Sequence, residues 1–307
     1  MKKVSIIILT YNSRDNIEVL LKSINAQTFQ NFEIIIVDNA SQDETVKFIK
    51  ENYPEIKIII NPENYWFAKG NNIGIKQAQG EYILICNDDI KLDSNCLQYL
   101  VDDLNNNQKI GAITGKILRL TDNTDYSIVD CAGLKKTIYR KFINIGENQP
   151  DLGQFDNKQQ IFGVSGAFFL ARKKALEDIK YQDEYFDQDF VAYKEDIDLS
   201  YRLRQKGWKI IYQPKAVIWH KRSIKKDDLR KNKNKLIKAY SYRNHFWMLL
   251  KNERSISGIL ILPYELIKLI YIIFFEPYTL KFFIKSFKDI KKIIKKRHAI
   301  INNNSQL

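Results

Sequence analysis

Tyr82-Ile83-Leu84-Ile85-Cys86-Asn87-Asp88-Asp89 is the stretch that decides how this chain is read. Residues 82–86 are a mostly apolar run of strand length, which predicts a strand buried on both faces. The run ends directly in an amide and two carboxylates. In an open α/β sheet, ligands bind beyond the carboxyl ends of the parallel strands, so acidic side chains there are placed to meet one. Two adjacent carboxylates repel each other. A hard cation such as Mg²⁺ or Mn²⁺ offsets that cost, and substrate phosphates complete its shell. Asn-Asp-Asp also suits a capped turn, so the tripeptide alone leaves both readings open.

Upstream, residues 4–9 (VSIIIL), 32–37 (FEIIIV) and 56–60 read as further buried strands, with 82–86 the fourth. Between them lie helical stretches. Ser13-Arg14-Asp15-Asn16 offers N-cap candidates for a helix carrying Ile17, Leu20, Leu21 and Ile24 on one face. Asp43-Glu44 opens a second helix through Tyr53, and 67–79 is the third. This alternation predicts a largely parallel, doubly wound α/β sheet. Thr10-Tyr11-Asn12 stands where a Gly-x-Gly-x-x-Gly turn would be needed, which argues against a dinucleotide cofactor, and no P-loop is present.

Downstream, Asp93-Ser94 precedes a helix over about 95–106, and 110–118 reads as a strand. Residues 121–158 form a polar, loop-rich insertion with short strands expected around Val129 and Tyr139, a candidate wall for an acceptor site. Residues 162–170 (FGVSGAFFL) read as a strand containing glycines, which often marks close approach of a ligand. A second acidic cluster follows in 186–200, with Asp187, Asp189, Glu195, Asp196 and Asp198. Glu195-Asp196 opens a helical pattern. There a carboxylate can simply favour the helix N-terminus, or, partly buried, serve as a general base. His220 ends a strand-like run at 216–219. A lone histidine is commonly structural, but neutral imidazole also ligates divalent ions.

The 307 residues suffice for one large domain with an appendage. Met1-Lys2-Lys3 leads straight into strand-like sequence, so no cleavable signal peptide is expected. Cys86, Cys96 and Cys131 lack metal-type spacing and leave an odd thiol, which fits a reducing cytoplasm. The net charge of +13 is concentrated at one end. After His220 there are 21 Lys and Arg against 6 Asp and Glu; the first 220 residues hold 28 against 30. This divides the chain into a near-neutral body, 1–222, and a basic helical extension, 223–307.

In that extension 227–250 reads as a lysine-rich helix with an aromatic side, and 256–275 as a mostly apolar stretch interrupted by Pro263, Glu265 and Lys268. Charges at a helix centre disfavour a membrane span by roughly 2.5–3.5 kcal/mol each. Residues 281–297 place Phe282, Phe283, Phe287, Ile290 and Ile294 on one side and lysines on the other. That pattern predicts an interfacial helix on an anionic membrane surface, the competing reading being a homo-oligomer contact. No nucleic-acid module is present, so nucleic acid is not an expected partner.

Five segments together resemble family 2 glycosyltransferases of the GT-A type, in particular the rhamnosyltransferase-like branch. They are VSIIILTYNS at 4–13, IIVDNASQDET at 36–45, NYWFAKGNNIGIKQAQGEYILICNDDI at 64–90, VSGAFFLARKKAL at 164–176 and YKEDIDLSYRLRQKGWKIIYQPKAVIWH at 193–220. The resemblance implies a GT-A, Rossmann-like sheet flanked by helices and a nucleoside-diphosphate sugar donor, dTDP- or UDP-linked. It implies that Thr10 and Asn12 line the nucleotide pocket, that Asp38 accepts from the pyrimidine, and that Asn64, Lys69 and Asn71 lie over ribose and diphosphate. Asn87-Asp88-Asp89 stands at the family's Asp-x-Asp position, with Asp89 a metal ligand and Asp88 near the ribose or donor sugar; Asn87 departs from the pattern. Gly166 and Ala167 would face the donor sugar. Glu195 lies on the acceptor side, Asp196 is the implied base, and His220 completes the shell of Mg²⁺ or Mn²⁺.

These roles imply inverting transfer of a sugar, rhamnose by the branch resembled, to a cell-surface or lipid-linked glycan by a peripheral protein on the cytoplasmic face of the membrane. Two rivals differ in kind. A nucleotidyltransferase should carry a glycine-rich basic loop after the first strand, which TYNSRDN is not. A non-catalytic, membrane-associated scaffold of a polysaccharide-assembly complex should lack donor turnover.

Overall fold

The computed structural model describes residues 2–120, 127–221, 230–253 and 261–302. The four predicted buried strands are β1 (Val4–Thr10), β2 (Phe32–Asp38), β3 (Lys57–Ile60) and β4 (Tyr82–Asn87), and they pair parallel in the order β4-β1-β2-β3. Their register aligns Thr10 with Asp38 and Leu9 with Asn87, so the polar ends of three strands open on one edge.

Both faces of this half-sheet are covered. Helix α1 (Arg14–Asn25) packs Ile17, Leu20, Leu21 and Ile24 against Ile6 and Ile8. The helix α2 (Thr45–Asn52) adds Ile49 to the same layer. On the opposite face α3 (Trp66–Gln77) lies very close to β1, because a Cβ on Gly74 would stand 2.4 Å from Ile7 Cγ2. Burying each such Leu or Ile contributes about 1.5–3 kcal/mol.

The chain continues through β5 (Ile90–Leu92), α4 (Cys96–Asn106), β6 (Ile110–Arg119), β7 (Val129–Cys131), the separate two-stranded β8–β9 hairpin (Leu134–Lys136, Phe142–Asn144), β10 (Gln159–Gln160) and β11 (Phe168–Arg172). Then come α5 (Lys173–Ile179), α6 (Glu195–Gln205) and β12 (Lys209–His220). Among the described residues the sheet order is β10-β12-β6-β11-β4-β1-β2-β3, with β5 on β12 and β7 on β6. β12 runs parallel to β6, and its ladder breaks between Gln213 and Val217, around Pro214, which has no N–H to donate. β11 runs antiparallel between β4 and β6, which brings its amino end to the carboxyl end of β4.

Three expectations need correction. The strand predicted over 162–170 begins only at Phe168; before it the chain leaves the ladder, and the Gly166 N–H donates to Asp196 instead of a neighbouring strand. Tyr139 sits in the turn between β8 and β9, not in a strand. The helix predicted over 281–297 is broken by a 3-10 turn at Phe287–Asp289.

The C-terminal helices are α7 (Arg230–Asn252), α8 (Leu262–Phe275), α9 (Pro277–Ser286) and α10 (Ile290–Asn302). The helix starts predicted at 227 and 256, and the division at 222/223, fall outside the described residues. Phe283 and Phe287 both stack on Phe246 of α7, and the turn after them lets α10 bury Ile293 and carry the Lys296 ammonium to Asp187. Part of the apolar side predicted for 281–297 is thus spent on α7. Among the described residues no helix is long and apolar enough to cross a membrane.

Candidate active site

The parallel strand ends gather the predicted nucleotide-side residues. Asp38 is fully buried; its Oδ1 accepts from Thr10 Oγ1 (2.9 Å) and Ser41 Oγ, and its Oδ2 from the Ser41 N–H (2.9 Å). Asn12 takes a left-handed backbone (φ 53°) that aims its Oδ1 at the Gln42 N–H, 2.8 Å away. Asn64 caps the next turn by accepting from the Trp66 N–H (2.8 Å). The Lys69 ammonium lies 3.1 Å from the centroid of the Tyr65 ring. Asn71 is buried; its amide donates to Phe67 O, while its Oδ1 has no partner among the described residues.

At the end of β4 the three polar residues diverge. Ser13, at the cap of α1, does not close that helix with its side chain; its hydroxyl donates to Asp88. Asp88 is pushed up to about 6, chiefly by burial; the Ser13 bond pulls down and the Asp89 charge pushes up. The Asp89 carboxylate lies 3.2 Å from His220 Nε2, and His220 Nδ1 lies 2.8 Å from Asp130. Burial works against an imidazolium here, yet the bonds and charges of Asp130 and Asp89 prevail and raise His220 to about 9.

This arrangement fits a divalent cation. Asp89 Oδ1 is buried and, among the described residues, has only the His220 imidazole beside it at 3.2 Å, and a carboxylate beside an imidazole is a suitable donor pair. Asp130 behind the ring supplies the carboxylate that commonly orients a metal-bound histidine. Among the described residues no three His, Cys, Asp or Glu side chains form a closed ligand set. A Mg²⁺-type site does not require one, because substrate phosphates and water fill most of its shell.

Across the sheet, Asn87, Ser165, Gly166, Ala167, Glu195 and Asp196 line one cavity of about 530 Å³, walled opposite by the β9 segment at Phe142–Asn144. Asn87 donates its N–H to Ala167 O (2.9 Å), which fixes the amino end of β11 to the acidic strand end. Asp196 accepts from the N–H groups of Gly166 (3.0 Å) and Ile197 (2.8 Å). A Cβ at Gly166 would stand 3.0 Å from Phe67 Cζ, so any side chain here would press on that ring. Both acids at the start of α6 are held above the ordinary carboxylate range by burial, Glu195 further by the Asp196 charge. Glu195 Oε2 is buried with no donor, whereas Asp196 receives two, so the pair's single charge is best carried by Asp196.

Gly166, Ala167, Glu195 and Asp196 therefore share one cavity with Asn87. Asp88 is joined to the first loop through Ser13, while Asp89 borders a neighbouring depression with Asp15, Lys91 and Lys221. Thr10, Asn12, Asp38, Asn64, Lys69 and Asn71 line neither hollow and cluster beside them at the β1 and β2 ends. Sequence reading missed Asp130, although a carboxylate inside the apolar run Ile128-Val129-Asp130-Cys131-Ala132 is a signal, since a buried charge demands a partner. It also missed Asn244, a buried α7 side chain whose amide lies 2.7–2.8 Å from the carbonyls of Phe190, Ala192 and Tyr193. These carbonyls belong to the loop before Glu195, where Val191, Tyr193 and Lys194 all have positive φ. Such strain persists only where the surroundings enforce it.

The family model described as "Glycosyl transferase family 2" matches residues 5–180. A poly-beta-1,6-N-acetyl-D-glucosamine synthase of Staphylococcus aureus (strain MSSA476) is 30% identical over 226 residues, 71% of this chain and 50% of that protein. The chain thus spans about half the length of the curated relatives it matches. Among solved structures, GalNAc-T7 with UDP, GalNAc and Mn²⁺ superposes with a TM-score of 0.64 at 15% identity, covering 82% of this chain and 48% of that one. Mannosyltransferase PcManGT from Pyrobaculum calidifontis, in complex with GDP-Man and Mn²⁺, gives 0.56 at 18% identity, covering 92% and 73%. At these identities the superpositions establish a shared fold.

Proposed function

Because the chain belongs to glycosyltransferase family 2, we propose that it is an inverting, metal-dependent transferase that moves a sugar from a nucleoside-diphosphate donor to a cell-surface or lipid-linked glycan. The observation that carries this reading is the cavity in which Asn87, Gly166 and Ala167 meet Asp196. Thr10, Asn12 and Asp38 take the base and ribose; Asn64, Lys69 and Asn71 lie over ribose and diphosphate. Asp88, Gly166 and Ala167 contact ribose or donor sugar, and Glu195 lies on the acceptor side. Asp196 accepts the proton of the acceptor hydroxyl as its oxygen bonds to the anomeric carbon. The bond to the diphosphate breaks on the opposite face, so one displacement inverts the centre. When bound, a divalent ion held by Asp89 and His220 neutralises charge on the leaving diphosphate.

Two donors compete. The branch resembled in sequence suggests dTDP-rhamnose, whereas the name of the curated relative suggests a donor of N-acetyl-D-glucosamine. Thermal stabilisation by a panel of UDP-, dTDP- and GDP-sugars, with Mn²⁺ or Mg²⁺, separates them; stabilisation by none would remove the reading. Asp89→Ala is expected to weaken metal-dependent donor binding about tenfold or more. An unaltered dependence on metal concentration would remove Asp89 as a ligand.

We assign 1–222 to donor and proton chemistry and 223–307 to the membrane surface. α8 supports the second assignment. Ile267, Phe274 and Phe275 are 65, 73 and 70% exposed, and Leu266 and Ile270 lie beside them. Lysines of α9 and α10, Lys281, Lys285, Lys291 and Lys295 among them, would complement anionic lipid headgroups, and a helix with such a face lies in the interface. Leu266→Ser/Ile270→Ser/Phe274→Ser in the full chain is expected to abolish most co-sedimentation with phosphatidylglycerol vesicles. Undiminished sedimentation would exclude α8 as the contact.

A further inference from the structure

A second groove of about 390 Å³ adjoins the catalytic cavity: Lys141, Phe142 and Lys194 line both. It runs between β9, α7 and the root of α8, with Ile237, Tyr242 and Tyr264 as further apolar walls. Four ammonium groups border it. Lys238 pairs with Glu276 and Lys268 with Glu265, but Lys141 and Lys194 have no carboxylate within ion-pair distance among the described residues. Lys194 is half-buried in the strained segment before Glu195. Burial holds its ammonium below the ordinary lysine range; Asp196 and Glu195 raise it, while the charges of Lys268 and Lys141 lower it. A partly desolvated cationic site, two of whose ammonium groups lack a direct ion pair among the described residues, with aromatic walls, favours an anion attached to an apolar chain. At the α8 end the groove meets the helix whose exposed apolar side suits hydrocarbon.

We propose that this groove seats the phosphate and first carbons of a lipid-phosphate-linked acceptor, whose sugar hydroxyl then reaches the catalytic cavity beside Asp196. The assignment rests on the transferase reading above. Lys141 and Lys194 hold the phosphate between the aromatic walls, and the chain leaves along α8 toward the bilayer. Acceptor choice then depends on the phosphate as well as on the sugar.

The test uses the full chain and decyl phosphate below its micellar concentration, followed by calorimetry. Saturable binding is expected, with decanol and inorganic phosphate each at least tenfold weaker. Lys141→Gln/Lys194→Gln should weaken decyl phosphate binding at least tenfold while binding of the donor nucleotide persists. Should the left-handed backbone at 194 prevent that variant from folding, Lys141→Gln alone, at an exposed position, is expected to weaken decyl phosphate binding several-fold. Unchanged affinity in a folded variant, or equal affinity for decanol, overturns the proposal. Displacement of decyl phosphate by an equal concentration of short-chain, monomeric phosphatidylglycerol also overturns it, because the groove then serves bulk lipid headgroups. Failure of the wild type to bind any nucleotide sugar is a separate readout: it overturns the transferase reading beneath the acceptor role.

Discussion

Asp196→Asn should lower the transfer rate about 10²- to 10⁴-fold, or roughly 3–5 kcal/mol of barrier, while nucleotide-sugar binding stays within a few-fold of wild type. The substitution is nearly isosteric. The Gly166 and Ile197 N–H groups bond to different oxygens of the Asp196 carboxylate, so the single amide oxygen can keep one of these hydrogen bonds and the other is lost. The variant loses the capacity to take a proton. Removing the charge of a buried acid offsets part of the lost hydrogen bond, and a melting temperature measured beside the rate separates lost catalysis from unfolding.

The pH profile gives an independent check. Burial raises Asp196 above the ordinary carboxylate range, against the pull of the Gly166 N–H and the Lys194 charge. Only the deprotonated form can act as base, so the rate should climb with pH and its acid limb should lie above that of a free aspartate. Glu195, raised by burial and by its neighbour's charge, holds its proton longer and leaves Asp196 as the ionised member. Steady-state transfer measured from pH 4 to 9 for both proteins decides the matter. Activity in Asp196→Asn within tenfold of wild type would remove the base assignment.

What the sequence made legible follows from which forces are local. Continuous apolar runs such as 4–9 and 82–86 have one stable use, a strand covered on both faces, and the acids closing them fall at the sheet's open edge by connectivity alone. Asp196 could be placed because it opens a helix. Asp130 was harder to place: its meaning depends on His220, 90 residues away, which β6 and β12 bring beside it. The strand boundary at 162–170 was misplaced because a glycine N–H that would join a ladder is claimed by a side chain 30 residues on. The basic tail was legible only in part. Counting lysines suggested a solvated or lipid-facing surface, whereas Lys251 and Lys296 are almost wholly buried on carboxylates from residues 184–198.

Lys251→Met is accordingly expected to cost the folded chain about 3–5 kcal/mol, the range for breaking a buried ion pair from one side. Lys251 Nζ lies 2.6 Å from Asp187 and 2.9 Å from Asp198, and all three side chains are excluded from water. Asp198 keeps Arg202 at 2.9 Å and the Asn252 amide at 2.8 Å, and Asp187 keeps Lys296, so the cluster is weakened and not emptied. At ~2–4 °C per kcal/mol for a chain of this order, the melting temperature should fall by roughly 10 °C. The acid side carries a sign that a packing defect would not share. Burial alone would raise Asp187 and Asp198, but the charges of Lys251, Lys296 and Arg202 hold both below the ordinary carboxylate range. Their contribution is therefore present above the unfolded value near 4 and is lost as pH falls through the lower folded values. Without Lys251 that depression shrinks, so the acid unfolding midpoint should move to higher pH. Thermal unfolding at pH 7 and an acid titration followed by circular dichroism measure both. A melting temperature within 2 °C of wild type would show that the cluster carries no stability. Asp198 lies on α6 two residues beyond Asp196, and Asn244 on α7 braces the loop before it, so the helices after residue 230 hold the proposed base in place. A chain cut at 222 would leave Asp187 and Asp198 buried without Lys251 or Lys296, and the division there is then one of function and not of folding.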